Sequence, residues 1–107
     1  MTMDADSAVP LACVPGAIPA EERAGHFALA AELFGGAVQA RRALEDGYAF
    51  RFAPERLDGV MRFVANERRC CPFLELTLTV SPSGGPVWLR MRGPAGTRAF
   101  LEAELRL

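Results

Sequence analysis

Leu74-Glu75-Leu76-Thr77-Leu78-Thr79-Val80 and, across the loop Ser81 to Pro86, Val87-Trp88-Leu89-Arg90-Met91-Arg92 are the stretches that decide the fold. Apolar and polar residues alternate in both, which puts Leu74, Leu76, Leu78 and Val80 on one face of a strand, and Val87, Leu89 and Met91 on one face of the next. Two such runs joined by a short Pro- and Gly-containing loop read as a β-hairpin. Upstream, residues 38–44 and 48–52 repeat the pattern around Glu45-Asp46-Gly47. Asp-Gly favours a tight turn, and Tyr48, Phe50 and Phe52 share one face.

Helices fill the space between the hairpins. Glu21 to Phe34 starts with acidic residues, where the helix dipole favours them, and stops at Gly35-Gly36. Its apolar face is Phe27, Leu29, Ala30, Leu33 and Phe34. Pro54 opens a second helix, with Leu57, Val60, Met61 and Val64 as its core stripe. Glu55, Asp58, Arg62, Asn66 and Arg69 form its wet face, and Pro72 ends it. Pro94 opens a last helix that carries Phe100, Leu101 and Leu105. Residues 8–14 read as a first strand, broken by Pro15, Gly16 and Pro19. Residues 1–7 read as a flexible N-terminal tail, with residues 8–107 as one domain. The order β-α-β-β-α-β-β-α predicts an α+β fold: an antiparallel or mixed sheet with helices packed on one face. A strand–Pro–helix unit appears three times, but the matches are too short to establish a duplication.

The chain has 107 residues, of which half are hydrophobic, and a net charge of −1. All twelve basic residues are Arg, and the slightly acidic balance argues against non-specific nucleic-acid binding, which rests on clustered positive charge. No apolar run approaches the roughly 20 residues of a membrane span. Asp4 and Asp6 stand where a signal peptide carries basic residues, so the expected location is the cytoplasm, with reduced thiols. The sheet face opposite the core is expected to show Arg41, Arg51, Glu75, Trp88, Arg90 and Arg92. That face reads as ordinary solvated surface, as an anion-binding surface, or as a homodimer interface anchored by Trp88.

Chemistry points to Cys70-Cys71. Cys71 lies seven residues after Val64 and continues the core stripe, while Cys70 is rotated by about 100° toward the rim. An ending at Pro72 lets both sulfurs turn to the same side. Arg68 and Arg69 favour a thiolate here, whereas Glu67 and the negative end of the helix dipole oppose it, so the net effect has no sign. Cys13 is the third thiol. Three thiolates suit a soft ion such as Hg(II), As(III) or Cu(I) better than a structural zinc, which normally takes four ligands. The candidate metal ligands are therefore Cys70, Cys71 and Cys13, with Glu67 and Arg68 orienting the sulfurs. His26 reads either as a fourth ligand or as a boundary histidine satisfied by hydrogen bonds. No Asp-His arrangement that would activate a nucleophile is visible. Two other readings stay open: a thiol-disulfide redox protein using the same pair, and a non-catalytic dimerisation or interaction domain whose cysteines are structural.

Leu11-Ala12-Cys13, Pro19 to Arg23, Asp46 to Phe52, Glu67-Arg68-Arg69-Cys70-Cys71-Pro72-Phe73, and Gly85 to Arg90 followed by Gly93-Pro94 make up a pattern covering most of the chain. It resembles a family of small uncharacterised bacterial proteins. The Glu-x-x-Cys-Cys-Pro-Phe segment is also similar to segments of mercury-resistance regulators. The resemblance implies no particular activity and no active-site residues.

Overall fold

Alternation in the two hairpins produces one sheet. The computed structural model describes residues 10–107. In it, β1 (Val38–Leu44) and β2 (Gly47–Phe52) form the first hairpin, and β3 (Glu75–Val80) and β4 (Val87–Arg92) the second. The four strands lie in the order β1-β2-β4-β3, with every neighbouring pair antiparallel. β2 and β4 are thus central, and their register sets Tyr48 opposite Met91, Phe50 opposite Leu89 and Phe52 opposite Val87. Phe50, Phe52, Leu89 and Met91 are fully or almost fully buried. Gly47 is required where the hairpins meet, because a Cβ there would collide with the Met91 carbonyl oxygen.

Three helices cover the face that carries this row: α1 (Ala20–Glu32), α2 (Leu57–Cys70) and α3 (Thr97–Glu104). The chain is therefore α+β, with Leu33, Val60, Phe63, Leu101 and Leu105 packed onto the aromatic and aliphatic row of the sheet. A π-helical turn, Leu33–Ala37, leads α1 into β1. No helix among the described residues is long and apolar enough to cross a membrane.

Three expectations change. Residues 10–14 form no strand, while residues 8 and 9 of that span, like the tail at 1–7, lie outside the described residues. The segment instead turns on itself, with Ala12 N–H donating to the Pro10 carbonyl at 2.9 Å, and docks on a helix end rather than on a sheet edge. The phase of α2 also differs. Its buried residues are Val60, Phe63, Glu67 and Cys70, whereas Met61 is 48% exposed. The spacing 3, 4, 3 is a proper helical stripe, but it runs through a carboxylate. Finally, the first hairpin turns through the two residues Glu45-Asp46, with Leu44 opposite Gly47, one residue tighter than expected, so Arg41 pairs with Phe50 on the helix side and lies 5.8 Å over the Tyr48 ring, while a bulge between Val38 and Ala40 shifts only the start of β1. Arg42, not Arg41, joins the open face and stacks 5.0 Å over Trp88.

Candidate metal centre

The C-terminal end of α2 supplies two of three sulfurs. Pro72 disfavours helical geometry in the residue before it, and Cys71 accordingly leaves the helix at φ −119°, ψ 77°. Its N–H still donates to the Glu67 carbonyl at 2.7 Å, so the departure is a turn rather than a break. Both thiols consequently face inward. Cys70 and Cys71 are each 0% exposed, so the expected contrast between a buried Cys71 and a rim-facing Cys70 is absent. The stripe through Phe63 is itself a core stripe, and Cys70 continues it.

Cys13 arrives from the N-terminal segment without a strand to carry it. Val14 N–H donates to the Cys70 carbonyl at 2.6 Å, satisfying one of the carbonyls a helix end leaves free. The chain then turns through Pro15–Ala17, and Arg23 on α1 clips that turn, its Nε donating to the carbonyls of Pro15 at 3.1 Å and Ile18 at 3.0 Å. Its second guanidinium nitrogen reaches the Gly16 carbonyl at 3.2 Å. Ile18, fully buried, packs with Cys70, Cys71 and Phe73. The sulfurs of Cys13, Cys70 and Cys71 all lie within 4.8 Å of one another. Cys13 and Cys71 are in direct contact at 2.7 Å, and the Cys13 thiol also donates to Glu104 Oε2 at 3.1 Å.

The surroundings are acidic. The Cys13 thiol is pushed up from its ordinary value by burial, with its hydrogen bonds to Glu104 and Cys70 adding to the rise and the Cys71 contact opposing it. Cys71 is pushed up by burial, by the charge of Glu67 and by its two sulfur neighbours. Both hold their protons at neutral pH. Arg68 and Arg69 are exposed and are not among the leading causes of either shift. The sign left open by the sequence is upward, first because burial penalises the thiolate and then because Glu67 and Glu104 face the sulfurs while the guanidiniums face water. Of the two residues expected to orient the sulfurs, Glu67 is buried and its charge acts on Cys71, while Arg68 is exposed.

Glu67 has a partner on α1. His26 Nε2–H donates to Glu67 Oε1 at 3.0 Å, and both side chains are almost wholly buried. The imidazole stacks on Phe63 with ring centres 5.3 Å apart and meets Phe27 edge-on at 5.4 Å. His26 is thus held by Glu67 and lies outside the sulfur cluster. The other two polar atoms of this pair, His26 Nδ1 and Glu67 Oε2, are buried and have no hydrogen-bond partner among the described residues. His26 and Glu67 are among the residues that line a cleft of about 270 Å³, with Phe27, Glu104 and Arg106. Sequence reasoning missed this pair. The available signal was position: Glu67 precedes Cys70 and Cys71 by three and four residues, which places all three on one side of a helix. Neither the family models, nor the curated proteins, nor the solved structures with which the chain was compared contain a match.

Proposed function

We propose that the protein binds a soft metal or metalloid ion, Hg(II), As(III) or Cu(I), with Cys13, Cys70 and Cys71 as ligands. The observation that carries this reading is the convergence of three sulfurs from two distant parts of the chain, mutually within 4.8 Å. A shared ion with metal–sulfur bonds of roughly 2.3 Å sets its sulfurs about 3.5–4 Å apart, so the Cys13–Cys71 pair, at 2.7 Å, has to open by about 1 Å. The electrostatics weigh against a free nucleophile. A reactive thiol works as a thiolate stabilised by positive charge, whereas here burial, reinforced by Glu67 and Glu104, keeps the protons on Cys71 and Cys13. A bound ion has to displace those protons, so its uptake releases them and strengthens as the pH rises. The likeness of Glu67 to Phe73 to mercury-resistance regulators is in keeping with this reading.

The test is titration of the reduced protein with Hg(II) or arsenite. One ion per chain should be taken up with loss of titratable thiol, and a Cys70→Ser/Cys71→Ser variant should lose most of the affinity. Equal uptake by that variant refutes the proposal. A second reading rests on the 2.7 Å contact of Cys13 with Cys71: the pair is placed to close a disulfide when a peroxide or an oxidised thiol removes two electrons and both protons. The raised thiols weigh against it, and a reduction potential as low as that of structural disulfides, below about −300 mV, would end its claim to a redox role.

A further inference from the structure

The open face of the sheet carries positive charge that ion binding by three thiols leaves unused. The pairing of β1 with β2 and of β2 with β4 sets Arg42 and Arg90 on either side of Ala49, in one row across three strands. Directly opposite residues share a face, so both arginines rise beside Ala49 on the side away from the helices. Ala49 ends in a methyl group, yet it is only 4% exposed. Its taller neighbours enclose a hollow of about 220 Å³ above it, lined by Arg42, Leu44, Ala49, Thr79, Trp88 and Arg90.

Both charged residues of this lining are arginines. The other two arginines of the face have partners: Arg92 Nε donates to Asp46 Oδ1 at 3.1 Å, and Arg51 Nε to Gln39 Oε1 at 3.1 Å. Among the described residues Arg42 and Arg90 form no ion pair and donate no side-chain hydrogen bond. Arg42 lies 5.0 Å over the Trp88 ring, a contact that holds its charge in place and leaves its N–H donors free.

We infer that the hollow binds the phosphate group of a small phosphate ester, held between the guanidiniums of Arg42 and Arg90. The fork of one arginine satisfies a carboxylate, whereas two arginines flanking one small residue suit a tetrahedral dianion with oxygens for each. Thr79 adds a hydroxyl donor, and Trp88 and Leu44 give apolar surface to the body of the ester. At roughly 30 Å³ per heavy atom, the volume of a water molecule in the liquid, the hollow holds about seven such atoms: the phosphate and the first carbons of the ester. Both arginines are exposed, so added salt weakens the attraction. No residue is shared with the sulfur cluster, and the two sites stand or fall separately.

Trp88 is the only tryptophan in the chain, so its fluorescence reports on the hollow. Protein at low micromolar concentration, where mass action keeps copies of the chain apart, is titrated with phenyl phosphate, inorganic phosphate and acetate at an ionic strength fixed with chloride. Calorimetry is run beside the fluorescence. Phenyl phosphate should saturate one site per chain and bind more tightly than inorganic phosphate, with acetate about tenfold weaker or worse. Arg42→Gln and Arg90→Gln should each weaken phenyl phosphate by about tenfold or more, the loss of a charged hydrogen-bond donor. Ala49→Val, which fills the hollow and leaves the charge alone, should do the same, while Arg51→Gln, outside the lining, should bind like wild type. Should Ala49→Val fail to fold, the two arginine variants, both at exposed positions, decide. No saturable binding by either method, acetate held as tightly as the phosphates, or arginine variants that bind like wild type overturn the inference. Inorganic phosphate held as tightly as phenyl phosphate overturns the choice of an ester.

Discussion

Raising the pH on reduced, ion-free protein should destabilise it through Cys71 and Cys13. Both thiols are raised in the folded chain above their ordinary value of 9.0, mainly by burial. Below pH 9 folded and unfolded chains hold the same thiol protons, so stability is flat with respect to these groups. Above it the unfolded chain releases protons that the folded chain keeps, and stability falls with rising pH. One group in that window contributes about 1.4 kcal/mol per pH unit. Cys71, fully buried, should give nearly all of that. Cys13 is partly exposed, and solvent screening reduces its share to about half. The sum is about 2 kcal/mol per unit, or about 3 kcal/mol between pH 9 and 10.5, set against the roughly 5–15 kcal/mol that keep a domain folded. The assay is urea denaturation at pH 7, 9, 10 and 10.5 with a phosphine reductant and a chelator, for wild type and Cys13→Ser/Cys71→Ser. Tyr48, raised chiefly by its hydrogen bond to Glu102, lowers stability in the same direction above pH 10, but it is common to both proteins and drops out of the comparison. Wild type should lose stability faster than the variant above pH 9. Parallel profiles, or a wild type that gains stability, would refute the electrostatic description of the site.

Alkylation of reduced protein should label Cys13 first, since it alone of the three thiols is partly exposed, and mass spectrometry of partially labelled chains reads the order. Cys70→Ser and Cys71→Ser should each cost about 1–3 kcal/mol in urea melts, because each buries a hydroxyl where a soft sulfur sat. Arg23→Ala removes the clip on the turn that follows Cys13 and should weaken ion affinity several-fold in a competition titration, with all three thiols still countable. The open sheet face around Trp88, with Arg42 stacked on it, is proposed as a homodimer surface; light scattering should show a dimer at high micromolar concentration, and a monomer there removes the proposal.

Period-2 alternation made both hairpins legible, down to the inward row of Tyr48, Phe50 and Phe52, because the strand period leaves only two faces to choose between. The helix was harder. Met61 and Val64 are apolar and Glu67 is charged, so hydropathy chose a stripe one step round from the one that is buried. What reverses the choice is His26, 41 residues away in sequence, which only the folded chain brings to Glu67. Arg42 replaced Arg41 on the open face because the turn closes with Leu44 opposite Gly47, one residue tighter than Glu45-Asp46-Gly47 suggested, and a one-residue slip exchanges the two faces of β1. The meeting of Cys13 with the pair was legible as a conditional, and its means was not. The segment docks through one backbone hydrogen bond to Cys70 and three from Arg23, and backbone acceptors look alike in every sequence.

The central claim is that three sulfurs share one ion. X-ray absorption at the edge of bound arsenic or mercury, on protein loaded to one ion per chain, counts them directly. Three sulfur neighbours in a single shell are predicted for wild type, falling to two in Cys13→Ser. A shell that holds two sulfurs in the wild type and is unchanged by Cys13→Ser, or one dominated by oxygen or nitrogen, would contradict the account.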